Sequence, residues 1–251
     1  MTNLPVWERP EPPARPTPTP LSRELIVRAA VALADRDGLG AVSLRKVGSA
    51  LDAGPMRLYG YVASKEELLD LMIDEVYGEV APEEDPTDGV DWRGSVRRLS
   101  LGLRAAARRH EWFVDLLGSR PHLNGPHSLA YLNRTLAAMD AAPGLDDMVA
   151  VLTAARTVDA YVVGAIRSEI TEARTVRATG TDVEEWQRSA AGHLGRMTAD
   201  GRFPMLKRMI NEPSPELDPE VAFTLGLDCV LDGIAVRLPT TPALRWALDG
   251  A

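Results

Sequence analysis

Apolar residues recur along this chain at helical spacing, and no stretch shows the alternation of a half-buried strand. Ile26, Ala29, Ala30 and Leu33 form one stripe, with Ser22 where an N-cap belongs and Gly38 where a left-handed stop fits. They predict a first helix to about residue 37. Leu44, Val47 and Leu51 follow Ser43 at i, i+3 and i+7 and predict a second, short helix; Asp52-Ala53-Gly54 supplies a turn. Pro55 then opens a third helix, where its missing N–H costs nothing, with Leu58 and Val62 turned inward. Ser64-Lys65-Glu66-Glu67 has the S-x-x-E form of a capping box and starts a fourth stripe, Leu68, Met72, Val76 and Val80.

The segment 81–91, APEEDPTDGVD, is acidic and rich in breakers, and marks a domain boundary. Beyond it the pattern predicts helices near 91–110, 112–118, 126–142, 145–176, 182–200 and 218–238, punctuated by Pro and Gly. The fold class is therefore all-α: an N-terminal helix-turn-helix domain over 21–80 and a larger helical domain over 91–240. Residues 1–20 hold seven prolines and little to bury, and read as a disordered arm. Arg9 and Arg15 have the reach of a DNA minor groove, although a solvated tail fits the composition better.

Helix, tight turn, helix is the layout that presents a recognition helix to the DNA major groove. With Leu58 and Val62 inward, Met56, Arg57, Tyr59, Gly60 and Tyr61 point elsewhere. The 251 residues carry a net charge of −8, which sits badly with a polyanionic partner until it is counted locally. Between Ser43 and Lys65 stand Arg45, Lys46, Arg57 and Lys65 against Asp52 alone, four bases to one acid, or +3. Only charges within about a Debye length, ~8–10 Å, act strongly on a phosphate, so a basic face on an acidic body still binds DNA.

The run Leu58-Tyr59-x-Tyr61-Val62-x-Ser64-Lys65-Glu66-Glu67-Leu68-Leu69 resembles the end of the recognition helix in the tetracycline-repressor family of bacterial regulators. The resemblance extends from Ser22 to Val80. It continues more weakly through Asp91-Trp92-Arg93, Leu116-Leu117-Gly118-Ser119-Arg120-Pro121 and Phe223-x-x-Gly226-Leu227-x-x-x-Leu231-x-Gly233. It implies that Ser43 and Arg45 meet phosphate or a base edge, that Lys46 approaches the backbone, and that Lys65 clamps a phosphate. Pro55, Met56, Arg57, Tyr59 and Tyr61 would form the recognition surface. Arg57 suits bidentate readout of guanine, worth ~1–3 kcal/mol of discrimination, and Met56 a thymine methyl. Tyr59 and Tyr61 suit phosphates. Two alternatives stay open: Arg45 and Lys46 also read as a solvated face, and Tyr61 as packing under the third helix. Asp52 stands where many relatives have glycine, and Gly60 should loosen the third helix by about 1 kcal/mol relative to alanine.

The family's tetracycline-binding member holds a magnesium–drug complex with a histidine and an acidic residue, among others. Those positions fall here at Leu116 and at or beside Ser168, so no metal and no cofactor is expected. His110, His122, His127 and His193 read as surface or loop residues. An apolar small-molecule pocket is implied, with Trp112, Phe113, Leu116, Tyr131, Tyr161 and Trp186 as its candidate walls, although ordinary core is the better reading of any one of them. Small residues at 149–170 (Ala154, Ala155, Ala160, Gly164) and 221–238 (Gly226, Cys229, Gly233) suit the close helix approach through which the family forms homodimers. A two-fold dimer would meet a near-palindromic double-stranded DNA operator. A ligand-released repressor follows, with an activator or a ligand-independent regulator as the alternative. A helical small-molecule enzyme is the remote rival, and the chain has no nucleophile elbow, phosphate loop, zinc spacing or acid pair. The single cysteine fits a reducing cytoplasm, and no apolar run approaches the roughly 18 residues of a bilayer span.

Overall fold

The computed structural model describes residues 5–13, 20–80, 91–117, 125–180, 195–198, 201–212 and 218–237. Among them there are helices and turns but no strand. Helix α1 spans Arg23–Asp37, α2 Leu44–Ala50, α3 Pro55–Leu58 and α4 Lys65–Gly78. Then come α5 at Trp92–Arg109, α6 at Pro126–Asp140, α7 at Met148–Thr179, α8 at Pro204–Asn211 and α9 at Pro219–Arg237. Tight 3₁₀ turns at Leu39–Ala41 and Glu111–Asp115 lead out of α1 and α5.

Caps explain where most of these helices begin. Ser22, Ser43 and Ser64 each accept from a backbone N–H three residues on, as do Asp91 and Asp147 at the starts of α5 and α7. Glu67 completes the box at α4 by accepting from Ala63 N at 2.8 Å. Gly38 ends α1 at φ +80, and Gly180 ends α7 in the left-handed region.

Helices α1–α3 and the first half of α4 form the head, packed around Ile26, Ala30, Val47, Leu58, Val62, Leu68 and Met72, all fully buried. The second core lies among α5, α6, α7 and α9, with Leu103, Phe113, Met139, Ala154, Ile166, Leu227 and Leu231 at its centre. Helix α4 belongs to both, packing on α1 on one side and on α5 and α6 on the other. It is accordingly buried nearly all round, including Asp74 and Tyr77. Helix α7 is apolar enough over one 18-residue window to match a bilayer span in length and composition. Its Val151, Ala154, Val158, Val162, Ile166 and Ile170 are core residues, and its Glu169 and Arg174 are ion-paired to α5 and the second 3₁₀ turn.

Several expectations need correction. The supposed arm packs on the head over 5–13: Val6 is 3 % exposed, and Arg9 pairs with Glu67 at 2.5 Å. Arg23 clamps the segment, donating from a terminal guanidinium nitrogen to Arg9 O at 2.9 Å and from its backbone N to Glu11 at 3.1 Å. Valine and arginine side chains between prolines suffice for docking, which composition alone concealed. The 112–118 helix is a 3₁₀ turn. Helix α8 was not expected: its stripe of Met205, Leu206, Met209 and Ile210 is only eight residues long and lies among the breakers Gly201, Pro204 and Pro213. Most of the expected helix over 182–200 lies outside the described residues.

Candidate DNA-binding face and its link to the effector domain

The face assigned to DNA is built by α2, the turn after it and α3. Ser43 Oγ accepts from Lys46 N at 3.3 Å, which leaves its O–H proton available to a phosphate. Arg45 and Lys46 stand exposed and form no ion pair among the described residues. The turn closes at Gly48: Ala53 N donates to Gly48 O at 2.8 Å, and a Cβ here would lie 2.7 Å from Ala53 O. Asp52 adopts φ +49, the left-handed geometry the turn requires.

Helix α3 is a single turn with Pro55 at its start and Leu58 as a fully buried anchor. Met56 is 82 % exposed and Tyr59 49 %, with Pro55 exposed and Arg57 half-buried beside them. Lys65 is exposed at the N-terminus of α4, where free amides also favour a phosphate. Tyr61 does not join this face. The helix ends at Leu58, and the turn that follows carries Tyr61 into the core of the head, 5 % exposed. Gly60 lies in that turn rather than inside the helix, so its expected propensity cost does not arise. Pro12 covers it: a Cβ on Gly60 would sit 3.3 Å from Pro12 Cγ.

At the seam between the head and the C-terminal helices, His110 corrects its reading as a surface or loop residue. It is 9 % exposed at the end of α5. Its Nδ1 lies 2.8 Å from Asp35 Oδ1 of α1, and its Nε2 3.0 Å from Glu79 Oε1 at the end of α4. A ring donates to both only when both nitrogens carry protons. Trp112 Nε1 donates to the same Asp35 oxygen at 2.6 Å, and Arg109 to Glu79 Oε2 at 2.6 Å. Burial pushes the Glu79 carboxyl up, but Arg109 and His110 together outweigh it and hold the group below its ordinary value.

Of the residues expected to wall a pocket, three come together. Trp112 packs edge-on against Phe113 (centroids 6.3 Å apart), Phe113 edge-on against Tyr77 (5.5 Å), and Tyr77 beside Tyr131 (5.2 Å). Leu116 is buried in the same turn region. Burial drives the Tyr77 and Tyr131 hydroxyls well above the ordinary tyrosine range, with the nearby Asp159 charge adding to it. Asp159 keeps an exposed surface, yet the protein packed around it raises its carboxyl above the ordinary value, and it has no ion pair among the described residues. Tyr161 is not part of this cluster: it donates to Phe223 O at 2.8 Å, in the seam between α7 and α9. Gly226 leaves the room its ring needs. An open groove of about 630 Å³ runs past Tyr161, Ser168, Glu169 and Phe223. Glu169 there is held by Arg104, whose side chain is 4 % exposed, and by Arg108. Trp186 lies outside the described residues. No cluster of His, Cys, Asp or Glu among the described residues suits a metal ion.

Residues 85–238 match the family described as tetracyclin repressor-like, C-terminal domain. The chain belongs to the tetracycline-repressor family. It is 37 % identical over 236 residues to the HTH-type transcriptional repressor DrrR1 of Streptomyces coeruleorubidus, covering 92 % of this chain and 83 % of that one. It is also 37 % identical over 233 residues to an HTH-type transcriptional regulator of Saccharopolyspora erythraea, covering 92 % and 91 %. Among solved structures it resembles ActR of Streptomyces coelicolor in complex with actinorhodin, with a TM-score of 0.71 at 27 % identity over 86 % of this chain and 96 % of that one. This tetracycline-repressor-family member is thus a DNA-binding transcriptional regulator.

Reading the sequence missed Gly48, Tyr77, Asp74 and His110. Gly48 had a usable signal, a small residue just before a turn. Tyr77 sits one residue after a position counted in the core stripe of α4. Asp74 and His110 act through partners far away in sequence, which no local pattern reveals.

Proposed function

We propose that this regulator is a cytoplasmic homodimeric repressor that leaves a near-palindromic operator when a small apolar effector occupies its C-terminal domain. The observation that carries the DNA half is α3: Met56, Arg57 and Tyr59 stand outward on a turn anchored by Leu58, flanked by Arg45, Lys46 and Lys65. Arg57 reads a base edge, Met56 covers a methyl, and Ser43, Arg45, Lys46, Tyr59 and Lys65 hold phosphates.

Dimerisation is supported by α9. Phe223, Leu227, Leu231 and Ile234 are buried against the chain, while Val221, Leu225 and Val236 are at least half exposed on its other sides. An apolar helix with an uncovered apolar face suits the pairing surface of a two-fold dimer. The effector half rests on the aromatic group at Tyr77, Phe113 and Tyr131 and on the complex in which ActR, a relative of this fold, binds actinorhodin. An effector acts only through different affinity for the DNA-competent and released states.

In-vitro selection from random duplexes at fixed salt tests the reading. The wild-type chain should enrich a palindrome, and Arg57→Ala should bind it about 5- to 150-fold more weakly, as loss of one bidentate base contact implies. Absence of any enriched sequence would overturn the proposal.

A further inference from the structure

Helix α6 begins without a cap of its own. Its N-cap residue is Gly125, which has no side chain to offer, followed by Pro126 at the first helical position. The free amides of the first turn are met instead by a carboxylate from another helix. Ser128 N donates to Asp74 Oδ1 at 2.8 Å, and His127 N to Asp74 Oδ2 at 3.3 Å. His127 Nδ1 lies 3.3 Å from the same Oδ2. Asp74 sits within α4 and is 5 % exposed, one of few charged side chains in the interior.

The surroundings are shaped to this contact. A Cβ on Gly125 would overlap the Asp74 carboxylate, so the residue that fails to cap α6 is also the one that makes room for the substitute. One turn further along α4, a Cβ on Gly78 would press on the His127 ring at 3.2 Å. Tyr77 of α4 and Tyr131 of α6, the aromatic pair described above, belong to the same seam.

Apolar side chains packed between two helices tolerate small slides, because dispersion and burial are non-directional. A buried carboxylate held by two amides does not, since a slide that breaks the bonds strands a charge in the protein interior. Asp74 also lies at the positive end of the α6 dipole. Helix α4 follows the recognition element directly, through the Ser64 cap, whereas α6 belongs wholly to the effector domain.

We propose that Asp74 is the residue that couples the effector domain to the DNA-binding head, by capping α6 from α4 so that the two helices move as one body. This rests on the regulator reading above and names the positioning residue through which it works. Displacement of α6 draws α4 with it and re-aims the recognition helix. By linkage, operator binding must in turn alter the first turn of α6.

That reciprocity allows a test without an identified effector. Hydrogen exchange at the α6 amides of the full chain is measured with and without the selected palindromic duplex, for wild type and Asp74→Asn. The wild type should show a duplex-induced change of about 5-fold or more at the first turn of α6, the lower end of usual allosteric coupling. Asp74→Asn keeps the size and one acceptor but places an NH₂ against a donor. It should still bind the duplex, since Asp74 is remote from α3, yet lose the induced change. A merely structural role would speed exchange equally in both states and leave the ratio intact, which would overturn the proposal. So would an unchanged α6 in wild-type protein that binds the duplex.

Gly125→Ser provides a second arm, giving α6 a cap of its own while its Cβ displaces Asp74. It should uncouple the domains in the same way, and persistence of the wild-type ratio in this variant would also overturn the proposal. A wild-type chain that enriches no duplex at all sinks the regulator reading itself, a different failure.

Discussion

Gly48 and Gly60 lie twelve residues apart on the same small head, yet substitution should affect them differently. A methyl at Gly48 meets the Ala53 carbonyl oxygen at 2.7 Å, a backbone atom that cannot swing aside as the end of a flexible side chain could. Gly48→Ala should lower stability by about 1–3 kcal/mol, the usual cost of overpacking, seen as a reduced thermal midpoint. At Gly60 the neighbour is the Pro12 ring at 3.3 Å on a docked segment that can shift, so Gly60→Ala should leave the midpoint nearly unchanged. A larger loss for Gly60→Ala than for Gly48→Ala would refute this account. The backbone frame of the face assigned to DNA was legible because each part answers to a local rule. Ser43 and Ser64 are caps, Pro55 opens a helix, and Asp52 takes the left-handed turn. Tyr61 was not, because the sequence fixes no end for a helix only four residues long, and one residue of turn decides which way a side chain points.

Among the elements, α4 bears the heaviest duty, and its far end shows how charge holds the domains together. Glu79 is depressed below its ordinary value of 4.5 by Arg109 and His110. A depressed carboxyl contributes stability that is present above the unfolded value and is lost as pH falls through the folded one. Acid titration from neutrality should therefore show wild-type stability declining below about pH 4.5, with a shallower decline in Glu79→Gln over the same window. Equal slopes would show that the contacts at Glu79 carry no net free energy. The helices themselves were readable where an amphipathic stripe ran long enough, as in α1, α5, α6 and α7, or where a long span was apolar nearly all round, as in α9. Helix α8 failed that test because it is short and lies among breakers. The joints between elements were invisible, since Asp74–Ser128 and His110–Asp35 join residues 54 and 75 apart.

For the whole molecule, the exposed stripe on α9 makes the proposed pairing testable. Leu225→Asp puts a charge on a side chain 53 % exposed in the single chain. If that stripe is the dimer surface, sedimentation should convert from dimer to monomer, and operator binding should fall sharply because one recognition helix alone spans half a site. A variant that stays dimeric would move the interface elsewhere. The seam between the domains has a separate consequence for anyone recombining such regulators. Cutting between Val80 and Asp91 looks like cutting a linker, but it strands three carboxylates on the N-terminal side of the cut: Asp35 and Glu79 without Arg109, His110 and Trp112, and Asp74 without the amides of α6. The operator reader is therefore not a detachable cartridge. A chimera that grafts it onto a foreign sensor would have to import His110, Trp112, Gly125 and the start of α6 with it, or the two halves would share a chain without exchanging a signal.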